Sequence, residues 1–482
     1  MGAFSDIDDP TDLDAIRAAI ASAERPDALV PLGLHRLVIE DDAAARAAIE
    51  MNALLDARTG KKPTIAVLTD ATAILSGTGL LKPRVIDGLS HQFEVSEIVL
   101  GTPGHLHVDD DSISVATQAA QRADGIVSVG SGTVSDIAKI ASARAGGIPH
   151  VLIQTAASVD GYTDNVSVVL RAGAKRTIDS RWPDVVLADT AVIRTAPREL
   201  NAAGFGELQS LFTAPADWWL ASQIGTDTSF HATPRDLLQE FAGDPRVWGE
   251  GLGSGNPDAV QQLTRVLAIR GIGTGIAGTT ACLSGVEHLV SHMLDMYAVA
   301  TGHDVGLHGA QVGVASVIAA SAWEHLLTQM RDGREILAGD DNLRQRVLEA
   351  FETCDPSGAL GAECWKDYSA KRQAWASAGS TALDLLADAN SLEHALGNML
   401  PASRVLAEAL AVAEAPLRVQ DLGDWVTPEV WRWAVSNCLY MRNRVTVVDL
   451  LAEAGWWTSE DVTAVIARAE SAVASARAVA GA

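Results

Sequence analysis

One stretch limits what this chain can fold into more than any other: Ile126-Val127-Ser128-Val129-Gly130-Ser131-Gly132-Thr133, running on through Val134 to Lys139. The run Ile126 to Val129 reads as a buried parallel strand, a Gly-Ser-Gly turn follows, and Val134, Ile137, Ala138 and Ile140 then recur at helical spacing. A strand that breaks through glycines into a helix receives a diphosphate well. The glycines let the backbone approach the anion, the first helical amides lack partners, and the helix dipole favours negative charge there. Thr133 is placed to cap that helix with its hydroxyl. The motif is G-x-G-T and not the full G-x-G-x-x-G, so by itself it also fits an ordinary tight strand-to-helix turn.

Around that stretch the chain alternates short apolar runs with helical segments. Strands are predicted at Leu37–Ile39, Thr64–Thr69, Glu97–Leu100, Val151–Gln154 and Val185–Asp189, with a hairpin over 166–177. Helices are predicted at Leu13–Ala23, Asp42–Ala57, Lys82–Leu89 and Ser112–Arg122. That alternation means βαβ units and a parallel sheet covered on both faces. After Pro197 β-branched runs all but vanish and alanines fall at helical spacing. The fold class is therefore an α/β nucleotide-binding domain with a parallel sheet, followed by an all-α domain. The expected division is a flexible N-terminal extension over 1–31, an α/β domain over 32–197 and a helical domain over 198–482. Gly225–Asp258 and Cys354–Trp365 read as excursions between helices.

With 36 basic against 61 acidic residues, the formal charge of −25 argues against nucleic acid or an anionic membrane as partner. Cys282, Cys354, Cys364 and Cys438 show neither C-x-x-C spacing nor disulfide density, and read as reduced cytoplasmic thiols. The N-terminus has no signal-peptide pattern, and no apolar run is long enough to span a bilayer. A soluble, cytoplasmic globular protein, as a homodimer, is the expectation.

Chemistry-bearing residues gather where strands end. Asp70 follows an early strand, where a carboxylate bonds a ribose 2′-hydroxyl and repels a 2′-phosphate; a helix N-cap is the alternative. The loop Thr155-Ala156-Ala157-Ser158-Val159-Asp160-Gly161-Tyr162 brings two hydroxyls and a carboxylate to the same sheet edge, with an Asx-turn the plainer reading of Asp160. In the helical half, Glu207 is flanked by glycine, His288 and His292 lie one turn apart, and His308 precedes an apolar helix. One carboxylate and two imidazoles form a ligand set for a catalytic divalent ion with open positions, and zinc, nickel and iron all accept it.

Taken together, these segments resemble the sn-glycerol-1-phosphate dehydrogenase family, within the group of glycerol dehydrogenases, iron-containing alcohol dehydrogenases and dehydroquinate synthases. The matching segments are Val129–Lys139, Thr155–Tyr162, Ala188–Thr190, Ala203–Leu208, Ala216–Trp218, Ser284–His292, His308–Gly309 and Arg442–Val447. The resemblance implies NAD or NADP bound with its diphosphate at Gly130, Ser131, Gly132 and Thr133, with Asp136 and Lys139 in the same motif and contacts from Thr155 and Ser158. It implies a substrate hydroxyl on Asp160, metal on Glu207, His288 and His308, and catalysis in a cleft between the two domains. His292 falls close enough to support a ligand from behind or to relay a proton.

The chain also departs from the family. Glu207 stands where the family has Asp, Asp164 where bacterial members have Ser and where an extra negative charge would oppose a substrate phosphate, Leu211 where they often have Lys, and Ala310 where they have Glu. The expected reaction is metal-assisted, NAD(P)H-linked reduction of a small ketone, with dihydroxyacetone phosphate the first candidate. A sugar-phosphate cyclase of the dehydroquinate synthase type, or a metal-free binding relative, are the alternatives.

Overall fold

The computed structural model describes residues 4, 7, 9–55, 62–77, 79–102, 106–171, 174–337 and 342–480. The chain divides into two compact units, Met1–Gly204 with Ala232–Gly278, and Phe205–His231 with Thr279–Ala482.

The first unit opens with α1 (Leu13–Ala21), β1 (Arg36–Glu40), α2 (Ala47–Leu54) and β2 (Thr64–Asp70). A two-residue ribbon, β3 (Leu75–Ser76) and β4 (Gly79–Leu80), leads to α3 (Leu81–Ser90), β5 (Glu94–Leu100) and α4 (Asp110–Ala120). Then come β6 (Gly125–Gly130), α5 (Gly132–Arg144) and β7 (His150–Gln154). The hairpin β8 (Val166–Arg171) and β9 (Ala174–Asp179) precedes β10 (Val185–Asp189), α6 (Thr190–Ile193) and α7 (Arg198–Leu208), whose residues from Phe205 on belong to the second unit. The hairpin's expected turn at Ala172-Gly173, and the expected helix end at Ala57, lie outside the described residues.

Six strands pair in parallel in the order β1-β10-β7-β6-β2-β5. β6, β7 and β10 are buried along their whole length, as strands covered on both faces must be. The chain moves outward from β2 to β5, then returns past β2 to lay down β6 on its other side. The strand order therefore reverses between β2 and β6. In open α/β sheets, ligands bind beyond the strand C-termini at such a point. Thr69 pairs with Val129, so Asp70 and Gly130 end neighbouring strands at the same level.

Two expectations about organisation change. Residues 1–31 contain a packed helix: Leu13, Ile16, Ala19 and Ile20 of α1 are buried, and Val30 N donates to Ile276 O at 2.8 Å. The span 225–258 is itself largely helical, with α9 (Ala232–Ala242) and α10 (Pro245–Trp248). With α11 (Pro257–Ala277) these helices pack into the first unit, so a single cut at 197/198 does not match the compact units. A Cβ on Gly275 of α11 would meet the Trp182 ring at 2.1 Å, which shows how closely that helix lies on the α/β part.

The second unit is all helical among its described residues. It contains α8 (Ala214–Ile224), α12 (Val286–Thr301), α13 (His308–Arg331), α14 (Leu343–Glu352), α15 (Ala359–Leu385) and α16 (Ala389–Leu396). It finishes with α17 (Ser403–Val412), α18 (Pro428–Asn437), α19 (Val447–Glu453) and α20 (Ser459–Ala480). Among the described residues no helix is long and apolar enough to cross a membrane.

Candidate active site

In the first unit β6 ends at Gly130 and α5 begins at Gly132, with Ser131 as an extended N-cap whose own side chain makes no capping bond. The expected cap by the Thr133 hydroxyl is not formed; Thr133 already lies inside the helix. Both glycines are sterically required. A Cβ at Gly130 would sit 2.7 Å from Val134 Cγ2, and one at Gly132 would sit 2.8 Å from Val159 Cγ2. Thr155 N donates to Gly130 O at 3.2 Å, which holds the 155–162 loop against the glycine turn, and the Ser158 hydroxyl lies 3.5 Å from that of Tyr162.

Asp136 and Lys139 sit differently from the expected cofactor contacts. The Lys139 ammonium is fully buried, bonded to Gly161 O at 2.7 Å, Asp164 Oδ1 at 2.6 Å and Val166 O, with Asp136 Oδ1 at 3.1 Å. Burial opposes its charge, but Asp164 and then Asp136 more than compensate and raise its pKa. Asp136 also accepts from Val168 N at 3.1 Å. These residues tie α5 to the loop and hairpin. Asp164, expected to place a stray negative charge beside a substrate phosphate, is instead the buried counterion of Lys139.

Asp70 is held by Lys82, whose ammonium donates to Asp70 Oδ1 and O, each at 2.5 Å, and to Thr72 O at 2.7 Å. Asp160 pairs through Oδ2 with Arg270 Nη1 of α11 at 2.5 Å. Neither partner was foreseeable from local pattern, since Lys82 and Arg270 lie on helices that only tertiary packing brings to these loops.

In the second unit three ligand-type residues converge. Donor atoms of Glu207, His288 and His308 all lie within 4.8 Å of one another. His288 Nε2 is 3.2 Å from Glu207 Oε1, and His308 Nε2 is 3.7 Å from Glu207 Oε2. The approach of Glu207 to His308 depends on glycine. A Cβ at Gly206 would lie 2.2 Å from Gly309 O, and one at Gly313 would lie 2.7 Å from Gly206 Cα. α7 and α13 thus touch backbone to backbone beside the two ligands.

Each imidazole is oriented from behind. Glu287, fully buried, takes His288 Nδ1 at 2.9 Å and is itself fixed by Gly285 N at 2.6 Å and Thr213 Oγ1 at 2.8 Å. Ser291 gives its hydroxyl proton to Gln311 Oε1 at 2.7 Å, so toward His308 Nδ1 at 2.9 Å it acts as acceptor. Both rings therefore carry Nδ1–H and turn Nε2 toward Glu207, the tautomer a cation needs. Burial disfavours the His288 imidazolium, but Glu207 and then Glu287 outweigh it and raise its pKa. His292 stacks on His308 with centroids 5.7 Å apart and an interplanar angle of 17°.

A further carboxylate braces this site. Buried Asp217 accepts from Val286 N at 3.0 Å, the first residue of α12, and from Val447 N at 2.9 Å, the first of α19. Its carboxyl is pushed up to about 8 by burial and then by Glu287. Glu287 and Ser291 carried one legible signal: they sit beside, and one turn after, a candidate ligand histidine.

A family model described as iron-containing alcohol dehydrogenase matches residues 43–197. The chain is 30% identical over 295 residues to the glycerol-1-phosphate dehydrogenase [NAD(P)+] of Halalkalibacterium halodurans, covering 58% of this chain and 70% of that one. It is 37% identical over 197 residues to the enzyme of the same name from Pyrococcus furiosus, covering 40% of this chain and 54% of that one. Among solved structures it is similar to a probable glycerol dehydrogenase from Sinorhizobium meliloti 1021, with TM-score 0.54, 16% identity, and 92% and 98% of the two chains covered. Glycerol dehydrogenase from Schizosaccharomyces pombe is similar too, with TM-score 0.52, 13% identity, and 92% and 91% covered. A parallel α/β unit with a glycine turn at its switch point, and a helical unit carrying an acid–imidazole cluster, define the dehydroquinate synthase-like fold class that these structures share. More narrowly, the chain belongs to the glycerol-1-phosphate dehydrogenase family.

Proposed function

We propose that the chain is an NAD(P)H-linked, metal-dependent reductase of a small ketone, with dihydroxyacetone phosphate the first substrate to test. The observation that carries this reading is the convergence of Glu207, His288 and His308, each imidazole held from behind in the Nε2-outward tautomer. The donor set fits a divalent cation: one carboxylate and two imidazoles, each with Nε2 toward the carboxylate. The longer arm of Glu207, compared with the family's Asp, still brings its carboxylate to both histidines.

When bound, such an ion polarises a carbonyl, and a reduced nicotinamide supplies hydride to it. The chain's own residues do the rest. Gly130 to Thr133 and the first turn of α5 receive the cofactor diphosphate, with the hydroxyls of Thr155 and Ser158 beside them. Arg270 fixes the Asp160 carboxylate, whose Oδ1 accepts a bond from a substrate hydroxyl. His292 or water delivers the proton that completes the alcohol.

Two measurements test this. Purified without chelator, the protein carries one divalent ion per chain, and Glu207→Ala or His288→Ala loses it. Oxidation of NADH or NADPH depends on added ketone and falls by about a thousandfold or more in those variants. Metal-independent activity in Glu207→Ala overturns the assignment. Phosphate release without net change in cofactor absorbance turns the reading toward a cyclase. Leu211 and Ala310 are both buried, and neither brings a charge. The assay therefore compares dihydroxyacetone phosphate directly with dihydroxyacetone.

A further inference from the structure

We propose that Lys82 decides whether a 2′-phosphorylated dinucleotide is accepted: by pairing with Asp70, it cancels the charge that would otherwise exclude NADP(H). The inference rests on the dinucleotide reading of the first unit and names the residue that governs cofactor choice within it.

Asp70 ends β2 at the level where Gly130 ends β6, across the point where strand order reverses. Neighbouring strands lie about 4.8 Å apart, so a dinucleotide with its diphosphate on the glycine turn brings a ribose to Asp70. A bare carboxylate there selects for a 2′-hydroxyl, which donates to it, and against a 2′-phosphate, which repels it. Asp70 is not bare. Its Oδ1 is 2.5 Å from Lys82 Nζ, its Oδ2 takes the Thr72 hydroxyl at 2.8 Å, and the side chains of Asp70 and Lys82 are 21% and 11% exposed.

The lysine is fixed independently of that ion pair. Two of its three donors go to backbone carbonyls, Asp70 O at 2.5 Å and Thr72 O at 2.7 Å, and it stands in the first turn of α3 immediately after the loop it binds. A phosphate arriving at this edge therefore meets a neutral pair whose cation stays in place. A ribose hydroxyl still finds a carboxylate oxygen to accept its proton. The same edge accommodates both dinucleotides, and removing either partner of the pair tips the balance in opposite directions.

Equilibrium binding of NADH and NADPH, read by calorimetry on the whole protein, tests this apart from turnover. Expected for the wild type are dissociation constants within about tenfold of each other. In Lys82→Met, NADPH binding weakens by about tenfold or more while NADH binding changes by less than about threefold, because the uncovered Asp70 charge acts on the phosphate alone. Lys82→Arg keeps NADPH binding. Asp70→Asn shifts the ratio toward NADPH and carries the test even where Lys82→Met fails to fold. Equal weakening of both dinucleotides in Lys82→Met, with an unchanged ratio in Asp70→Asn, overturns the inference and leaves Lys82 a tie for the strand end. A wild type that binds neither dinucleotide overturns the reading of the site itself, and the role of Lys82 with it.

Discussion

Glu287 controls which nitrogen of His288 faces Glu207. Its Oε1 holds the Nδ1 proton, and Gly285 N and Thr213 Oγ1 keep that oxygen pair from turning. A carboxylate behind a ligand imidazole raises the basicity of the outward nitrogen, and losing it commonly lowers metal affinity 10–100-fold. Glu287→Gln is therefore expected to weaken binding of a divalent ion by about that factor in a chelator competition, with the helical circular dichroism retained. Ser291→Ala should cost less, because water can take the place of a neutral acceptor. Affinity unchanged in Glu287→Gln would remove it from the site. At this scale the sequence was informative about the ligands and silent about their supports. Glu207, His288 and His308 were legible because their segments match a family in order along the chain. Lys82 with Asp70, Arg270 with Asp160 and Lys139 with Asp164 were not, because a pairing across 12 to 110 residues leaves no local periodicity to read. The stray charge expected at Asp164 was an error of this kind: the residue was visible, its counterion was not.

Glycines do at the level of elements what ion pairs do at the level of residues. Gly206 and Gly313 let α7 lie against α13, and a methyl at Gly206 would have to occupy a point 2.2 Å from a backbone carbonyl oxygen that no side-chain rotation can move aside. Gly206→Ala must displace one helix by roughly 1 Å, a strain of about 1–3 kcal/mol by analogy with overpacked cores. It separates Glu207 from His308 in the same movement. Both a lower melting temperature and weaker metal binding are expected. Gly88 supplies the contrast. It lies inside α3, where an added methyl would meet nothing within 4 Å, so Gly88→Ala should be neutral or stabilise by up to about 1 kcal/mol. Two variants that behave alike would show that close approach is not what Gly206 is for. Helical spacing made most of these elements legible, including the strand–glycine–helix unit. The assignment of α9 to α11 was not, because amphipathic periodicity says that a helix packs and does not say against which unit.

Over the whole molecule, the balance between burial and charge sets how stability responds to pH. His150 is fully buried in β7, and its Nε2 is 2.8 Å from the Ser128 hydroxyl on β6. Burial, then the positive charges of Arg181 and Lys139, lower its pKa to about 3, against 6.5 for an unperturbed imidazole. The sign follows from proton uptake. Between these values the unfolded chain binds a proton at this position and the folded chain does not, so acid favours unfolding. The contribution of neutral His150 is complete above about pH 6.5 and drains away toward pH 3, at up to about 1.4 kcal/mol per pH unit. By pH 5 it has lost about 2 kcal/mol. His150→Gln removes the titration while keeping an amide that can meet Ser128. Urea unfolding of both proteins at pH 7.5 and pH 5 isolates the effect, since every other carboxylate and histidine is common to the two. The wild type should lose about 2 kcal/mol more than the variant over that interval, and parallel losses would mean that the buried imidazole takes up its proton in the folded state. The formal charge of −25 moves the opposite way, because protonating acidic groups relieves self-repulsion as pH falls. Wild type and variant share that relief, so the difference between them reports the sheet core alone.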